Sequence, residues 1–220
     1  ELWDPVAGRM RAVTRFTEHN GRTTLRLRFA PHQSLFVVFR KEKRGLPEDD
    51  WCAPDVPAPE TAATVDGPWR VAFDPDLGGP GEVAFKTLRD WTAHKTPGIR
   101  HYSGIATYRA NVTLGETDAA AKTLLLDLGE VRNMARVRLN GRDLGVVWCA
   151  PWRVDIAGAA RAGENTLEIE VANLWPNRLI GDQGLPESER IAWTTWNPYE
   201  KDAPLLPSGL LGPVRVLARK

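Results

Sequence analysis

Arg178, Asp182, Glu187, Glu189, Arg190, Trp193 and Trp196 fall in one stretch of this 220-residue chain, dense enough in reactive and recognition groups to form a site. Hydrolysis of a glycosidic bond commonly uses two carboxyl groups about 5 to 9.5 Å apart, one held protonated and the other ionised. Asp182 and Glu189 are the candidates here, with Asp90 and Glu200 elsewhere. Spacing along the chain does not make a pair, so no residue is assigned a catalytic role. Three readings of the stretch stay open: a catalytic centre, a sugar-contacting surface, or a network of arginines and carboxylates that pins the long loop from Ile180 to Pro198.

Sugar recognition needs a flat aromatic surface for the apolar face of the ring and planar polar groups for its hydroxyls. Trp91, Trp193 and Trp196 lie in irregular, polar segments, with His94, Arg178, Asp182 and Arg190 as polar companions. These seven residues are the expected substrate-binding set. Trp69 and Trp148 fall on apolar faces of alternating segments and are expected in the core. Trp152 fits either role, and Trp175, between Leu174 and Pro176, is expected to pack a turn.

Other reactive residues carry less. Asp74 and Asp76, beside Gly78-Gly79, could contribute oxygen ligands to Ca²⁺, but a plain Asp-Pro-Asp turn is the preferred reading. No CxxC, HExxH or HxH spacing is present, so no tight metal site is expected. His32 and His101 have no partner at a catalytic spacing. Cys52 and Cys149 form either a bridge or two free thiols.

These residues must be held by β-structure. Leu25, Leu27 and Phe29 alternate with Arg26 and Arg28 after an Asn20-Gly21 turn, and Ser34 to Phe39 reads as a further, more buried strand. Residues 1–40 are expected to belong to, or complete, a neighbouring β domain. Residues 41–65, charged and then rich in Pro, read as a linker or as a long loop anchored by Leu46 and Trp51. Residues 66–220 alternate strand and turn. Tyr102 to Leu114 predicts a long strand, Lys122 to Leu128 another, and Ala135, Val137 and Leu139 lead through Asn140-Gly141 to Leu144, Val146 and Trp148 on a returning strand. Leu167, Ile169 and Val171 alternate with carboxylates, and Val214 to Leu217 closes the sheet. The Asn140-Gly141 and Gly163-Glu164-Asn165 turns are explained by turn chemistry alone. With no convincing amphipathic helix, this pattern predicts an all-β fold, an antiparallel β-sandwich of jelly-roll type.

Composition narrows the function classes. With 29 basic against 28 acidic side chains the net charge is +1, which offers no asymmetry for nucleic acid. No stretch approaches the ~20 apolar residues that span a bilayer, so no membrane partner is expected. Nine Trp against three Tyr, with 19 Gly and 17 Pro, suit short strands, turns and aromatic platforms. The chain begins at Glu1 without a leader and reads as a piece of something longer.

From about Asp66 to Val216 the phrases DGPWRVAFDPDLGGP, LRDWT, YSGIATYRANV, LLLDLGEVRNMARVRLNGRDLGVVWCAPWRVDI, GENTLEIEVANLWPNRLIGD and LLPSGLLGPVRV resemble one family. They look like the C-terminal galactose-binding-like jelly roll of bacterial α-L-rhamnosidases of glycoside hydrolase family 106. The middle phrases also resemble the sugar-binding domain of family 2 glycosidases. The resemblance implies a saccharide partner, in particular rhamnose-containing plant polysaccharide, and a secreted or periplasmic location. It also implies catalytic carboxylates on an upstream (β/α)-barrel domain. This chain shows no alternation of strands with long helices, so it is expected to be an accessory binding or structural module. A self-standing hydrolase with its site in 178–196, or an interaction module that binds no sugar, are the alternatives.

Overall fold

The structure, a computed structural model, describes residues 1–29, 33–41, 44–46, 48 and 57–219. It divides into two compact units, Glu1–Ala58 and Pro59–Lys220. In the first, β1 (Leu2–Asp4) lies between β2 (Arg9–Arg11) and β5 (Phe36–Val37), while β3 (Phe16–His19) and β4 (Arg22–Leu25) form a separate hairpin. Asn20 and Gly21, both at positive φ, make its turn as the sequence predicts. The rest of this unit differs from expectation. The strand through Leu25 ends there rather than continuing to Phe29, and Ser34–Phe39 yields only the two-residue β5, with Phe36, Val37 and Phe39 exposed.

The second unit is an antiparallel sandwich. Its strands are β6 (Glu60–Thr64), β7 (Trp69–Phe73), β8 (Gly81–Phe85), β9 (Ile105–Leu114), β10 (Thr123–Asp127), β11 (Glu130–Arg132), β12 (Met134–Leu139), β13 (Arg142–Val147), β14 (Arg153–Asp155), β15 (Gly163–Ala172), β16 (Gly209–Gly212) and β17 (Arg215–Arg219). A six-stranded sheet, β13-β12-β15-β9-β7-β8, shares one core with a four-stranded sheet, β14-β10-β17-β6, and β11 pairs separately with β16. The expected linker therefore does not run through residue 65: Glu60–Thr64 pairs with β17.

Two-residue alternation builds the core. Val71, Phe73, Tyr108, Val137 and Ile169 point inward from one sheet and Leu124, Leu126 and Val216 from the other, all essentially inaccessible to water. Full burial of such side chains stabilises by roughly 1.5–3 kcal/mol each. On the outer face Glu168 joins Arg109 at 2.9 Å and Arg138 at 2.7 Å, and Arg138 also reaches Glu170 at 2.7 Å. Arg136 bonds Asp143, which lies well out in solvent and whose carboxyl that bond lowers to about 2. Pairs as solvent-screened as these add little to stability.

The family phrases LNG and G-E-N hold turns. Asn140 Nδ2 donates to Ala159 O and to Asn165 Oδ1, while the buried Asn165 donates to Arg161 O and Gly163 O. In β13 the register slips between Arg136 and Arg138 of its partner, with Gly145 at φ +92. That bulge inserts an extra residue and exchanges the faces. Leu144 and Val147 pack against the core, whereas Val146 and Trp148, expected inside, are exposed.

Asp74 Oδ1 accepts from Asp76 N at 2.9 Å and caps the short 3-10 turn Pro75–Leu77. Among the described residues no cluster of three or more His, Cys, Asp or Glu could hold a metal. Cys149 is a free thiol; Cys52, Trp51 and His32 lie outside the described residues.

Candidate saccharide-facing surface

Beyond β15 the chain enters α3 (Pro176–Gln183), the longest of the three α-helices among the described residues, after α1 (Pro97–Arg100) and α2 (Glu116–Ala119). Pro176 takes the first helical position, where the missing N–H costs nothing. The inward side of α3 is largely polar, with Asn177, Arg178 and Asp182 buried beside Leu179 and Ile180. That is why the segment shows no apolar periodicity and reads as loop from sequence.

Most of the buried polar atoms here are hydrogen-bonded; Arg178 Nε and Asp182 Oδ1 are buried without a hydrogen-bond partner. Asn177 donates to Leu206 O at 2.7 Å and to Ser208 Oγ at 2.9 Å, and its own oxygen accepts from Leu206 N at 2.8 Å. Asn173 also donates to Ser208 Oγ, at 3.1 Å. Asp90 accepts from Ser208 N at 3.0 Å and from Thr92 N at 2.9 Å, capping the 3-10 turn Trp91–Ala93. Four short segments are thereby tied to Ser208.

Arg178 and Asp182 form a buried pair, Nη1 to Oδ1 3.5 Å, one helical turn apart. Arg178 Nη2 donates to Leu77 O at 3.2 Å, and Asp182 Oδ2 accepts from Ile191 N at 3.1 Å and Ala192 N at 2.8 Å. Gly78, at φ +74, leaves room for Ile191: a Cβ there would lie 2.2 Å from Ile191 Cδ1. Asn197 Nδ2 then donates to Leu179 O at 3.0 Å. Residues 192 and 197 are thus both clamped to α3, and the turn between them carries Trp193 and Trp196, 83% and 75% exposed. Thr194 Oγ1 donates to Trp196 O at 3.1 Å and stiffens that turn from within.

The expected binding set therefore splits. Trp193 and Trp196 stand in solvent. Arg190, exposed nearby in sequence, donates Nε to Leu185 O at 3.2 Å, and Glu189 sits on the exposed 3-10 turn Glu187–Glu189. Arg178 and Asp182 have the geometry of the pinning network: buried, paired and holding backbone. Trp91 corrects the expectation outright. It is fully buried, with ring centroids 5.3 Å from Phe73 and 5.6 Å from Tyr102, and its Nε1 donates to Tyr108 Oη at 2.6 Å. Gly209 lies against it so closely that a Cβ would be 2.4 Å from Nε1. His94 stacks on Phe85 at 5.7 Å, and burial, followed by the nearby Arg89 charge, holds its imidazole below the ordinary value. Trp175, expected to pack a turn, is 75% exposed.

His101 packs under α3, where a Cβ on Gly181 would lie 2.7 Å from the ring. Burial lowers its pKa, with a hydrogen bond to the Asn177 backbone acting the other way.

Comparison with known proteins agrees with this architecture. The family model described as glycosyl hydrolase 2 galactose-binding domain-like matches residues 101–197, a span that includes β9, β15, α3 and the clamped turn. A rhamnosidase from Novosphingobium sp. PP1Y superposes with a TM-score of 0.73 at 44% identity, over 84% of this chain and 17% of that one. A Formosa agariphila protein with a provisional beta-glucuronidase name is 38% identical over 174 residues, 68% of this chain and 15% of its own. A Ruminococcus gnavus beta-glucuronidase shares the fold at 21% identity, with a TM-score of 0.50 over 71% of this chain and 28% of that one. The chain spans less than a fifth of the first two. Residues 101–197 thus belong to a galactose-binding-like domain of the glycoside-hydrolase type, within the sandwich unit Pro59–Lys220.

Proposed function

We propose that the chain is an accessory, saccharide-facing module of a glycoside hydrolase resembling the α-L-rhamnosidases of family 106. It serves a catalytic barrel domain that acts outside the cytoplasm on rhamnose-containing plant polysaccharide. The observation that carries this reading is the turn clamped at Ala192 and Asn197, which displays two exposed tryptophans on a rigid support. Pre-ordered aromatic platforms lose little entropy on stacking against a sugar ring. Asp182 is committed to Arg178 and to two backbone N–H groups, which supports a reading in which this residue breaks no bond and catalysis belongs to another domain. Titration calorimetry with rhamnose-containing pectic oligosaccharides tests this: saturable heat that disappears in a Trp193→Ala/Trp196→Ala variant supports it, and a flat wild-type titration refutes it. The isolated chain should release nothing from aryl α-L-rhamnosides.

One observation favours a second reading, a module that mainly buttresses its neighbour. Met134, Ala172 and Ile105 are paired across β12, β15 and β9 on the outer face, and Met134 and Ile105 are exposed, as are Trp148, Leu174 and Trp175 beyond the strand ends. An apolar row of this kind suits a protein surface. In that case the tryptophan variants would leave saccharide response unchanged at zero, while Met134→Lys would weaken association with a separately supplied catalytic domain.

A further inference from the structure

A small cleft of about 130 Å³ opens between the end of β11 and the segment leading into β16, lined by Arg132, Asn133, Leu174, Leu206, Pro207 and Ser208. A cleft this small, well under the roughly 300 Å³ of a ligand-enclosing pocket, takes the edge of one ring and not a chain of sugars. Its walls are fixed. Leu206 is held through both backbone N–H and C=O by Asn177, Ser208 is buried with its hydroxyl bonded to Leu206 O at 3.0 Å, and Leu174 O accepts from Ser103 Oγ at 2.9 Å. Asn133 is fixed through its backbone alone, N to Ala172 O at 2.8 Å and O from Trp152 Nε1 at 3.4 Å.

We propose that this cleft is a second carbohydrate subsite, for the edge of a single neutral pyranose ring. The inference rests on the saccharide-facing reading above and adds a site to it. Leu174, Leu206 and Pro207 offer C–H surface to the ring, while the Asn133 carboxamide and the Arg132 guanidinium offer planar groups to vicinal hydroxyls. The choice of a neutral sugar follows from charge. Arg132 donates Nε to Glu130 Oε1 at 2.8 Å and bonds the same carboxylate through Nη2, so its charge is already balanced at the cleft. A uronic acid would meet no net positive field, whereas a neutral ring needs none.

The test is a two-dimensional ¹H–¹⁵N NMR titration of the whole 220-residue chain with methyl α-L-rhamnoside, methyl α-D-galactoside and methyl β-D-glucuronide. Saturable shifts of the Asn133 side-chain amide and of the Leu206 and Ser208 backbone amides are expected with a neutral glycoside. They should persist in Trp193→Ala/Trp196→Ala and weaken at least tenfold in Asn133→Ala. Leu206→Trp, which fills the cleft, provides a second variant, with its folding checked by the dispersion of the same spectrum. Shifts confined to residues 192–197 would overturn the cleft and leave the platform standing. Tighter binding of the glucuronide would overturn the neutral-ring assignment, and no shift with any probe would overturn both sites.

Discussion

The same side chain does opposite work in two parts of this domain. Trp91 and Trp193 both lie in polar, non-strand segments, yet one is fully buried and the other 83% exposed. What separates them is the backbone around each. Asp90 caps the turn holding Trp91 and is tied to Ser208, and Trp91 N itself donates to Ser208 O at 3.0 Å, which aims the indole into Phe73, Tyr102 and Tyr108. The turn bearing Trp193 is clamped by its flanks, through Ala192 and Asn197, and so turns its rings outward. Burial of an aromatic residue thus depends on where the hydrogen bonds take hold, not on the polarity of neighbours in sequence.

Substitutions should expose the contrast most strongly in stability. Trp91→Ala removes a packed indole and leaves Tyr108 Oη with Leu210 N as its remaining donor; a loss of about 3–5 kcal/mol is expected in urea unfolding. Trp193→Ala and Trp196→Ala should each stay within about 0.5 kcal/mol of wild type, as surface changes do. A large loss from either would break the comparison.

Asp182→Ala joins the two regions. It strands the buried Arg178 guanidinium, for which about 3 kcal/mol or more is expected, and it frees Ile191 N and Ala192 N. Unfolding and saccharide binding should therefore fall together, whereas a pure binding residue would lower the second alone. Proteolysis near residue 192 should also become faster.

A smaller effect concerns α3 and pH. Burial depresses His101 below the ordinary imidazole value of 6.5, so the unfolded chain takes up a proton more readily than the folded one. The stability tied to this group is present above about pH 6.5 and is lost as pH falls from there through the lower folded value. His94, depressed by burial and by Arg89, has the same sign. Urea midpoints at pH 7.5 and 5.5 should differ in that direction, and the slope should flatten in His101→Gln. An increase in stability on acidification would contradict the sign.

Much of the sandwich was legible because alternation maps directly onto sheet faces: Ala106 and Tyr108, Val137 and Leu139, Ile169 and Val171 are all inward where the pattern places them. Trp148 escaped because Gly145 at positive φ inserts a bulge, and a single extra residue inverts the faces beyond it. Helix α3 escaped because it buries asparagine, arginine and aspartate and so shows no apolar stripe at helical spacing. Of the candidate site, Trp193 and Trp196 were legible from their irregular, polar setting. Trp91 was not, although Asp90 before it is an N-cap residue, the one local signal that it opens a turn facing inward.

The central claim is that a rigidly held, exposed pair of tryptophans faces saccharide. Isothermal titration of the folded chain and of its Trp193→Ala/Trp196→Ala variant with a rhamnose-containing pectic oligosaccharide tests it most directly. The account predicts saturable heat for the wild type and at least tenfold weaker binding for a variant whose urea midpoint is unchanged. Equal heats for the two proteins, or none for the wild type, would contradict it.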